Sequence, residues 1–166
     1  MIAATALAGE VDIFGRPIPV NTGRPTLVVY TNKGTEDLVQ DPLPDLLARE
    51  TGVLPVVIVR VDLRGVPGLF HGIARDNMKS RWGRGIERYR SQVRALGREA
   101  VPDPENSLYF VADPNGAQEQ AAGLPKGFTQ PLGIAFDAGG HELVRVPFPT
   151  GAPSLLSALE TMNGTR

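Results

Sequence analysis

Short apolar runs separated by turn residues predict the strands of this chain. Leu27–Tyr30 is a compact apolar run suited to a strand buried on both faces, and "LPVVIVRVDL" is a second run, rich in β-branched residues. "SLYFVADPNG" predicts a third strand that ends in a turn. "TQPLGIAFDAGGHELVRVPF" predicts a β-hairpin whose turn begins at Asp137, and "AGEVDIFGRPIPV" predicts a shorter hairpin around Phe14–Gly15–Arg16.

A helical period replaces this pattern between the second and third runs. Apolar positions there recur every three or four residues, which predicts one long helix from Ile73 to Leu96. Gly83 and Gly85 are expected to lie off the apolar stripe and to weaken the helix. The stripe consists of Ala74, Met78, Trp82, Ile86, Tyr89, Val93 and Leu96.

Capping and breaking residues predict the shorter helices. Thr35 is expected to cap a first helical turn, and Asp41 before Pro42 marks a restart, because proline is tolerated at the beginning of a helix. Residues 153–163 predict a closing helix. Strands that alternate with helices and end in an antiparallel pair predict a mixed sheet with helices on both sides, in a single domain over residues 1–166.

Charge is distributed unevenly along the chain. The net charge is −1, but the segment from Arg64 to Arg98 holds nine basic residues against two acidic ones. The simplest expectation is a solvated helix face that pairs with the acidic remainder of the protein. An acidic protein surface, nucleic acid and anionic lipid are the alternative partners, although a pI of about 6.1 disfavours a dedicated nucleic-acid binder. The basic residues expected to face solvent are Arg75, Lys79, Arg84, Arg88, Arg90, Arg94 and Arg98.

The sequence contains no strong catalytic, metal or cofactor motif. The absence of cysteine excludes disulfides, thiolate catalysis and cysteine-ligated zinc. His71 and His141 lie far apart in sequence and predict no metal site. The segment "WGRGIER" lacks the third glycine of a dinucleotide-binding motif, so we expect no cofactor.

Membrane and targeting signals are also missing from the pattern. No apolar run approaches the roughly 20 residues that span a bilayer. The N-terminal sequence "MIAATALAGE" lacks a basic region and a full apolar region, so it does not predict a signal peptide. A cytoplasmic location is expected, with the periplasm as the alternative if a leader has been removed.

Four stretches resemble the thioredoxin-like fold, and within it the redoxin or peroxiredoxin-type branch. "VDIFGRPIPV" and "GRPTLVVY" resemble the N-terminal hairpin and first central strand of that family, and "TNKGTEDL" resembles its active-site turn and helix start. "FTQPLGIAFDAGGHELVR" resembles its proline-initiated strand, turn and final strand. The resemblance implies a three-layer α/β/α fold with a mixed central sheet and an N-terminal β-hairpin. In that family the proline at the position of Pro131 is usually cis and faces the active-site turn.

The position of the family's nucleophilic cysteine, at about Lys33–Thr35, holds no sulfur in this chain. A helix N-terminus can lower the pKa of a thiol until it ionises, whereas a threonine hydroxyl needs an adjacent base. Disulfide exchange and thiol peroxidase activity are therefore excluded. The same helix start could bind an anion, but Glu36 and Asp37 in its first turn would repel one.

Three functional hypotheses remain. The first is a non-catalytic, cysteine-free binding or scaffold module that recognises a protein partner. The second is an electrostatic adaptor that binds an anionic partner through the long basic helix. The third is a cysteine-independent enzyme that uses Lys33, Thr35 or a histidine. For the first, the resemblance implies a polypeptide-binding groove formed by Thr31, Asn32, Lys33, Gly34, Thr35, Thr129, Gln130 and Pro131.

Overall fold

A five-stranded mixed sheet forms the centre of the protein. The computed structural model describes residues 9–164, so the residues that bear on a signal peptide lie mostly outside the described part. The strands are β1 (Thr26–Asn32), β2 (Val56–Asp62), β3 (Leu108–Asp113), β4 (Leu132–Phe136) and β5 (Glu142–Pro147). Their order is β3-β2-β1-β4-β5; β1 to β3 run parallel, and β4 and β5 are antiparallel to their neighbours. The predicted mixed sheet is confirmed.

The helices of residues 9–164 largely follow the predicted pattern. They are α1 (Asp37–Gln40), α2 (Pro42–Arg49), α3 (His71–Ala95), α4 (Ala117–Ala121) and α5 (Ala152–Asn163). The helix restarts at Pro42 as predicted, and α3 is continuous through Gly83 and Gly85. The sequence analysis did not predict α4, because so short a helix shows no readable period. Within the described residues, no helix combines the length and apolar character needed to cross a bilayer.

The helices cover the two faces of the sheet unequally. α1, α2, α3 and α5 pack on one face and bury the larger apolar cluster there. Both crossovers between parallel strands use that face, because successive right-handed crossovers stay on one side while the strand order advances in one direction. The other face is covered by Ile18 of the N-terminal segment and by Ala122 and Leu124, which follow α4. The carboxyl ends of the parallel strands are left at one edge.

The predicted N-terminal hairpin is reduced to a tight turn. Val11 and Pro17 form a single antiparallel bridge. Within the turn, the Asp12 carboxylate accepts hydrogen bonds from the backbone N–H groups of Phe14 and Arg16, at 2.9 and 2.8 Å. Pro17 has no N–H group to donate, which limits further pairing.

Arg16 anchors this turn to the outer edge of β3. Its guanidinium donates to the Leu108 carbonyl at 2.8 Å and lies 4.8 Å from the ring centre of Tyr109. The backbone N–H of Ile13 donates to the Phe110 carbonyl at 2.9 Å. The N-terminal segment therefore covers a strand edge that would otherwise expose unpaired backbone groups.

The buried face of α3 differs from the predicted stripe at two positions. Gly85 is buried rather than off the stripe, and a Cβ built on it would lie 3.8 Å from Pro44 of α2 and 3.9 Å from Leu108. Leu96, predicted as the last residue of the stripe, is 52% exposed. Because α2 packs beside the stripe, the buried face is wider than the apolar positions alone indicate.

We expect Gly85→Ala to raise the free energy of unfolding by about 1 kcal/mol, because alanine favours the helix and its methyl group would make ordinary contacts. Urea denaturation measures the change. Gly83→Ala is the matched control, since a Cβ there meets nothing within 4 Å and gains only the helix preference. Destabilisation by Gly85→Ala alone would show that α2 and α3 pack too closely for a methyl group.

Candidate functional site

The carboxyl ends of the three parallel strands meet at one edge of the sheet. Each strand ends in a polar residue: Asn32 on β1, Asp62 on β2 and Asp113 on β3. In open α/β sheets, ligands bind at this edge. A cleft of about 590 Å³ opens here. It is lined by Asn32, Lys33, Gly34, Thr35, Asp62, Gly65, Val66, Gly127, Phe128 and Thr129.

The structure brings together most, but not all, of the residues predicted to form the groove. Thr31 and Pro131 are buried and do not line the cleft. Gln130 is exposed but does not line it either. The predicted residues that do line the cleft are Asn32, Lys33, Gly34, Thr35 and Thr129.

The peptide bond before Pro131 is trans, unlike the usual cis bond of the family that the sequence resembles. Among residues 9–164 the cis peptide bond is Phe148–Pro149. The trans isomer is the lower-energy form of an X–Pro bond. The Pro131 carbonyl accepts a hydrogen bond from the Phe148 N–H at 2.9 Å, just before β4 begins.

The turn between β1 and α1 satisfies its own polar groups. The Thr35 hydroxyl accepts a hydrogen bond from the Asn32 backbone N–H at 3.0 Å and bonds the Thr31 hydroxyl at 2.8 Å. Thr35 therefore does not cap the helix as predicted; Glu36 occupies the capping position, without a side-chain capping bond. The physical reason is burial: the end of β1 would otherwise leave polar groups unpaired inside the protein.

Asn32 connects this turn to the opposite wall of the cleft. Its side-chain oxygen accepts a hydrogen bond from the Gly34 N–H at 2.9 Å, and its amide nitrogen donates to the Phe128 carbonyl at 2.7 Å. Lys33 has an exposed side chain with no hydrogen bond or ion pair to residues 9–164. It is the unpaired charge that the turn presents to the cleft.

The contacts of Thr35 and of the two histidines determine which of these groups could act in catalysis. Thr35 is 3% exposed, and its hydroxyl bonds a second hydroxyl and backbone groups, none of which is a base. His71 bonds the Val66 carbonyl at 2.8 Å. His141 bonds Asp137 at the turn between β4 and β5, at the opposite edge of the sheet. Within residues 9–164, no three His, Asp or Glu side chains are placed to hold a metal ion.

A pair of carboxyl groups, Asp113 and Glu119, lies at the end of β3. Glu119 on α4 is fully buried, and burial, reinforced by its hydrogen bond with Asp113, raises its pKa to about 9. Burial and the contact with Asp113 both favour the neutral, protonated form of Glu119. Burial acts to raise the pKa of Asp113, but hydrogen bonds from Glu119 and from backbone N–H groups of residues 116–118 hold it below its usual range. The two groups share one proton.

Asp62 at the cleft is neutralised by Arg64. The Arg64 guanidinium contacts both Asp62 oxygens at 2.7 to 3.0 Å and donates to the Leu124 carbonyl at 3.3 Å. Gly116, with a φ of +64°, permits this arrangement, because a Cβ there would lie 2.0 Å from the Arg64 Nε. The Asp62 carboxylate is therefore held in an ion pair rather than free to act as a base.

The basic residues of α3 divide into a paired and an unpaired group. Arg88 forms ion pairs with Asp41 and Asp45, the latter at 2.8 Å, and Arg90 pairs with Glu87 and Glu105. Arg98 donates to the carbonyls of Ala48 and Glu50, and Lys79 lies 3.8 Å from Asp76. Arg81, which the sequence analysis left out of the patch, pairs with Glu36 at 2.6 Å. The exposed residues without an ion pair to the described part of the chain are Arg75, Arg84 and Arg94.

Sequence reasoning missed several residues around the cleft. Gly65, Val66, Gly127 and Phe128 come from loops whose positions depend on tertiary contacts. A usable signal did exist for the strand ends. Each apolar run of the parallel strands finishes with Asn or Asp, and parallel strands place such residues at one edge.

Comparison with known proteins identifies the fold. No family model and no curated protein matches the chain. A secreted Mycobacterium tuberculosis disulfide oxidoreductase homologous to E. coli DsbE is 12% identical, with a TM-score of 0.52 over 91% of this chain and 92% of that one. The N-terminal domain of PilB from N. meningitidis, in its reduced form, is 15% identical, with a TM-score of 0.54 over 96% of each chain. The exposed lipoprotein thioredoxin Etrx1 of Streptococcus pneumoniae is 17% identical, with a TM-score of 0.51 over 91% of this chain and 96% of that one.

These similarities concern the fold alone, because all the identities are low. The expected thioredoxin-like fold is confirmed. The chain contains no cysteine, so it has this fold without the sulfur that disulfide exchange requires.

The shared proton predicts how stability depends on pH. The pKa of Glu119 is about 9 in the folded protein, against a usual value of 4.5. Between these values the folded state binds one more proton than the unfolded state, so the free energy of unfolding falls as pH rises, by up to about 1.4 kcal/mol per pH unit. This contribution is fully present below the unfolded pKa and is lost as pH rises through the folded one. Urea midpoints between about pH 5 and 9 measure the slope.

Glu119→Gln is the matched variant, because an amide keeps the shape and can still donate to Asp113. We expect its stability to depend less on pH over the same window. The slopes are compared rather than the absolute stabilities, since the substitution can itself change packing. Equal slopes in the two proteins would contradict a protonated Glu119.

Proposed function

We propose that this protein is a non-catalytic binding module that recognises a polypeptide partner at the cleft formed by the carboxyl ends of β1 and β2 and the loop before β4. One observation carries the proposal: the cleft is open, while the polar groups of the turn that lines it, apart from Lys33, are bonded within the fold. Such a site has a fixed shape and a free cation but no activated group.

The competing enzymatic hypothesis has weaker support. A hydroxyl nucleophile needs an adjacent base within hydrogen-bond reach, and the groups that bond the Thr35 hydroxyl in the described part of the chain are a second hydroxyl and backbone groups. Asp62 is occupied by Arg64, and both histidines bond other groups. Lys33 is exposed rather than held in the apolar pocket that activates a lysine amine.

A second candidate function uses α3. Arg75, Arg84 and Arg94 are exposed and have no ion pair to residues 9–164, so they could meet an acidic protein surface. Nucleic acid and anionic lipid are less favoured partners, because several other cations of α3 already form ion pairs within the protein. In this function the protein would act as an electrostatic adaptor.

The cleft proposal predicts the effect of a double substitution. Partners are captured from a lysate of the source organism, and the Kd of each retained protein is measured with purified components. We expect the double variant Lys33→Ala with Thr129→Ala to bind a partner that uses the cleft at least about tenfold more weakly than the wild type. The reason is that both exposed side chains line the cleft. Arg84→Ala with Arg94→Ala is the matched control and should leave that affinity unchanged.

The adaptor hypothesis predicts the opposite pattern. Binding should fall steeply between about 0.05 and 0.5 M salt, because exposed charges are screened. Arg84→Glu with Arg94→Glu should abolish it, whereas the cleft variant should bind normally. If the affinity of a partner changes neither with salt nor with these charge reversals, α3 is not the surface that binds it. If the partners bind the cleft variant with unchanged affinity, the cleft is not the binding site.

A further inference from the structure

Exposed apolar side chains follow the cleft residues Gly65 and Val66 along the chain, at the connection between β2 and α3. Leu69 is 88% exposed, Phe70 is 48% exposed and Ile73 is 58% exposed. We call these three residues the Leu69 patch. Single exposed apolar side chains are ordinary, but three large ones within five residues of the chain form a candidate interaction surface. Leu69 has the highest exposure of the large apolar side chains in residues 9–164.

The Leu69 patch is joined directly to the cleft and is held in place. Gly65 and Val66 line the cleft, and the chain runs from them into the patch. The Val66 carbonyl accepts a hydrogen bond from the His71 ring at 2.8 Å, and the Phe70 N–H donates to the Pro67 carbonyl at 2.8 Å. A ligand would therefore meet a surface that is already ordered, which lowers the entropy lost on binding.

Gly65 leaves backbone accessible in the cleft. Its φ is not in the left-handed region, and a Cβ on it would meet nothing within 4 Å. Neither backbone conformation nor packing within the described residues requires glycine there. A glycine allows close approach of another backbone, as an extended peptide would make.

Three exposed basic residues lie in or beside this region of the chain. Lys33 lines the cleft, Lys126 precedes the lining residue Gly127, and Arg75 lies shortly beyond Ile73 on α3. All three cations are exposed and have no ion pair to residues 9–164.

The carboxylates nearest to the cleft are already engaged. Asp62 pairs with Arg64, and Glu36 pairs with Arg81. Arg81 also pairs with Asp37, so the two carboxylates at the start of α1 share one arginine, and the cations that a carboxylate ligand would find without an ion pair to residues 9–164 are Lys33 and Lys126.

We propose that the cleft and the Leu69 patch together bind an extended segment of a partner protein in which a bulky apolar side chain lies near acidic side chains. The apolar side chain packs on the patch, the acidic side chains meet Lys33 and Lys126, and the segment's backbone passes Gly65. This inference rests on the proposed function and specifies its ligand. A second copy of the chain fits less well, because the two apposed patches would bring cations of like charge together.

The experiment uses a positional-scanning library of fluorescein-labelled octapeptides and fluorescence polarisation. We expect the wild-type protein to select Leu, Ile or Phe at one position and Asp or Glu at neighbouring positions. The double variant Leu69→Ser with Ile73→Ser should bind the best peptide at least about tenfold more weakly than the wild type does. Leu96→Ser is the matched control, since this leucine is 52% exposed at the other end of α3. Lys33→Glu should exchange the acidic preference for a basic one.

Gly65→Leu separates this inference from the proposed function, because it places a side chain in the cleft without touching the patch. Loss of binding in Gly65→Leu but not in the patch variant would overturn the inference and leave the cleft as the binding site. Selection of no peptide would overturn both. Self-association in sedimentation velocity that the patch variant abolishes would identify a second copy as the occupant instead. If the urea midpoint shows that the double substitution destabilises the fold, the single variant Leu69→Ser is used in its place.

Discussion

The buried side chain of Asn32 is the contact on which the geometry of the cleft depends. It is 9% exposed, and both ends of its amide are satisfied, by the Gly34 N–H and by the Phe128 carbonyl. A single side chain thus joins the end of β1, the turn to α1 and the loop before β4. An unpaired buried amide would cost about 1–3 kcal/mol, so this bonding holds the two walls in one arrangement. The open volume between them follows from that arrangement.

Buried charge imposes a second constraint, on the face of the sheet that α4 covers. Arg60 is 1% exposed in the middle of the sheet, where burial opposes its charge. Its hydrogen bond with Glu10 outweighs that effect and keeps its pKa above the usual value. Glu119 has no ion pair to residues 9–164 and is held as the neutral acid instead. Pairing and protonation are the two ways in which a fold can bury ionisable groups, and this face uses both.

Ion pairs with α1 and α2 account for much of the basic character of α3. Arg81 and Arg88 point to carboxylates on these short acidic helices, and Arg90 reaches Glu105 in the segment before β3. Exposed pairs of this type contribute little stability individually. Their main consequence is electrostatic, because they neutralise a surface that the sequence presents as strongly positive. Among the basic residues of α3, only Arg75, Arg84 and Arg94 remain exposed without an ion pair to residues 9–164.

The order of strands and helices, the long α3 and the absence of thiol chemistry were readable from the sequence, because apolar period and missing cysteine are local properties. Asn32, Lys33, Gly34 and Thr35 were placed at the candidate site by a resemblance, that of "TNKGTEDL" to the active-site turn of the thioredoxin-like fold. Contacts between segments distant in the chain decided the rest. The sequence alone could not show that Thr35 bonds inward instead of capping α1, that Gly85 faces α2, or that Arg88 meets Asp45. Nor could it show that Glu119 shares a proton with Asp113, because burial and proximity, which set its pKa, exist only once the chain has folded.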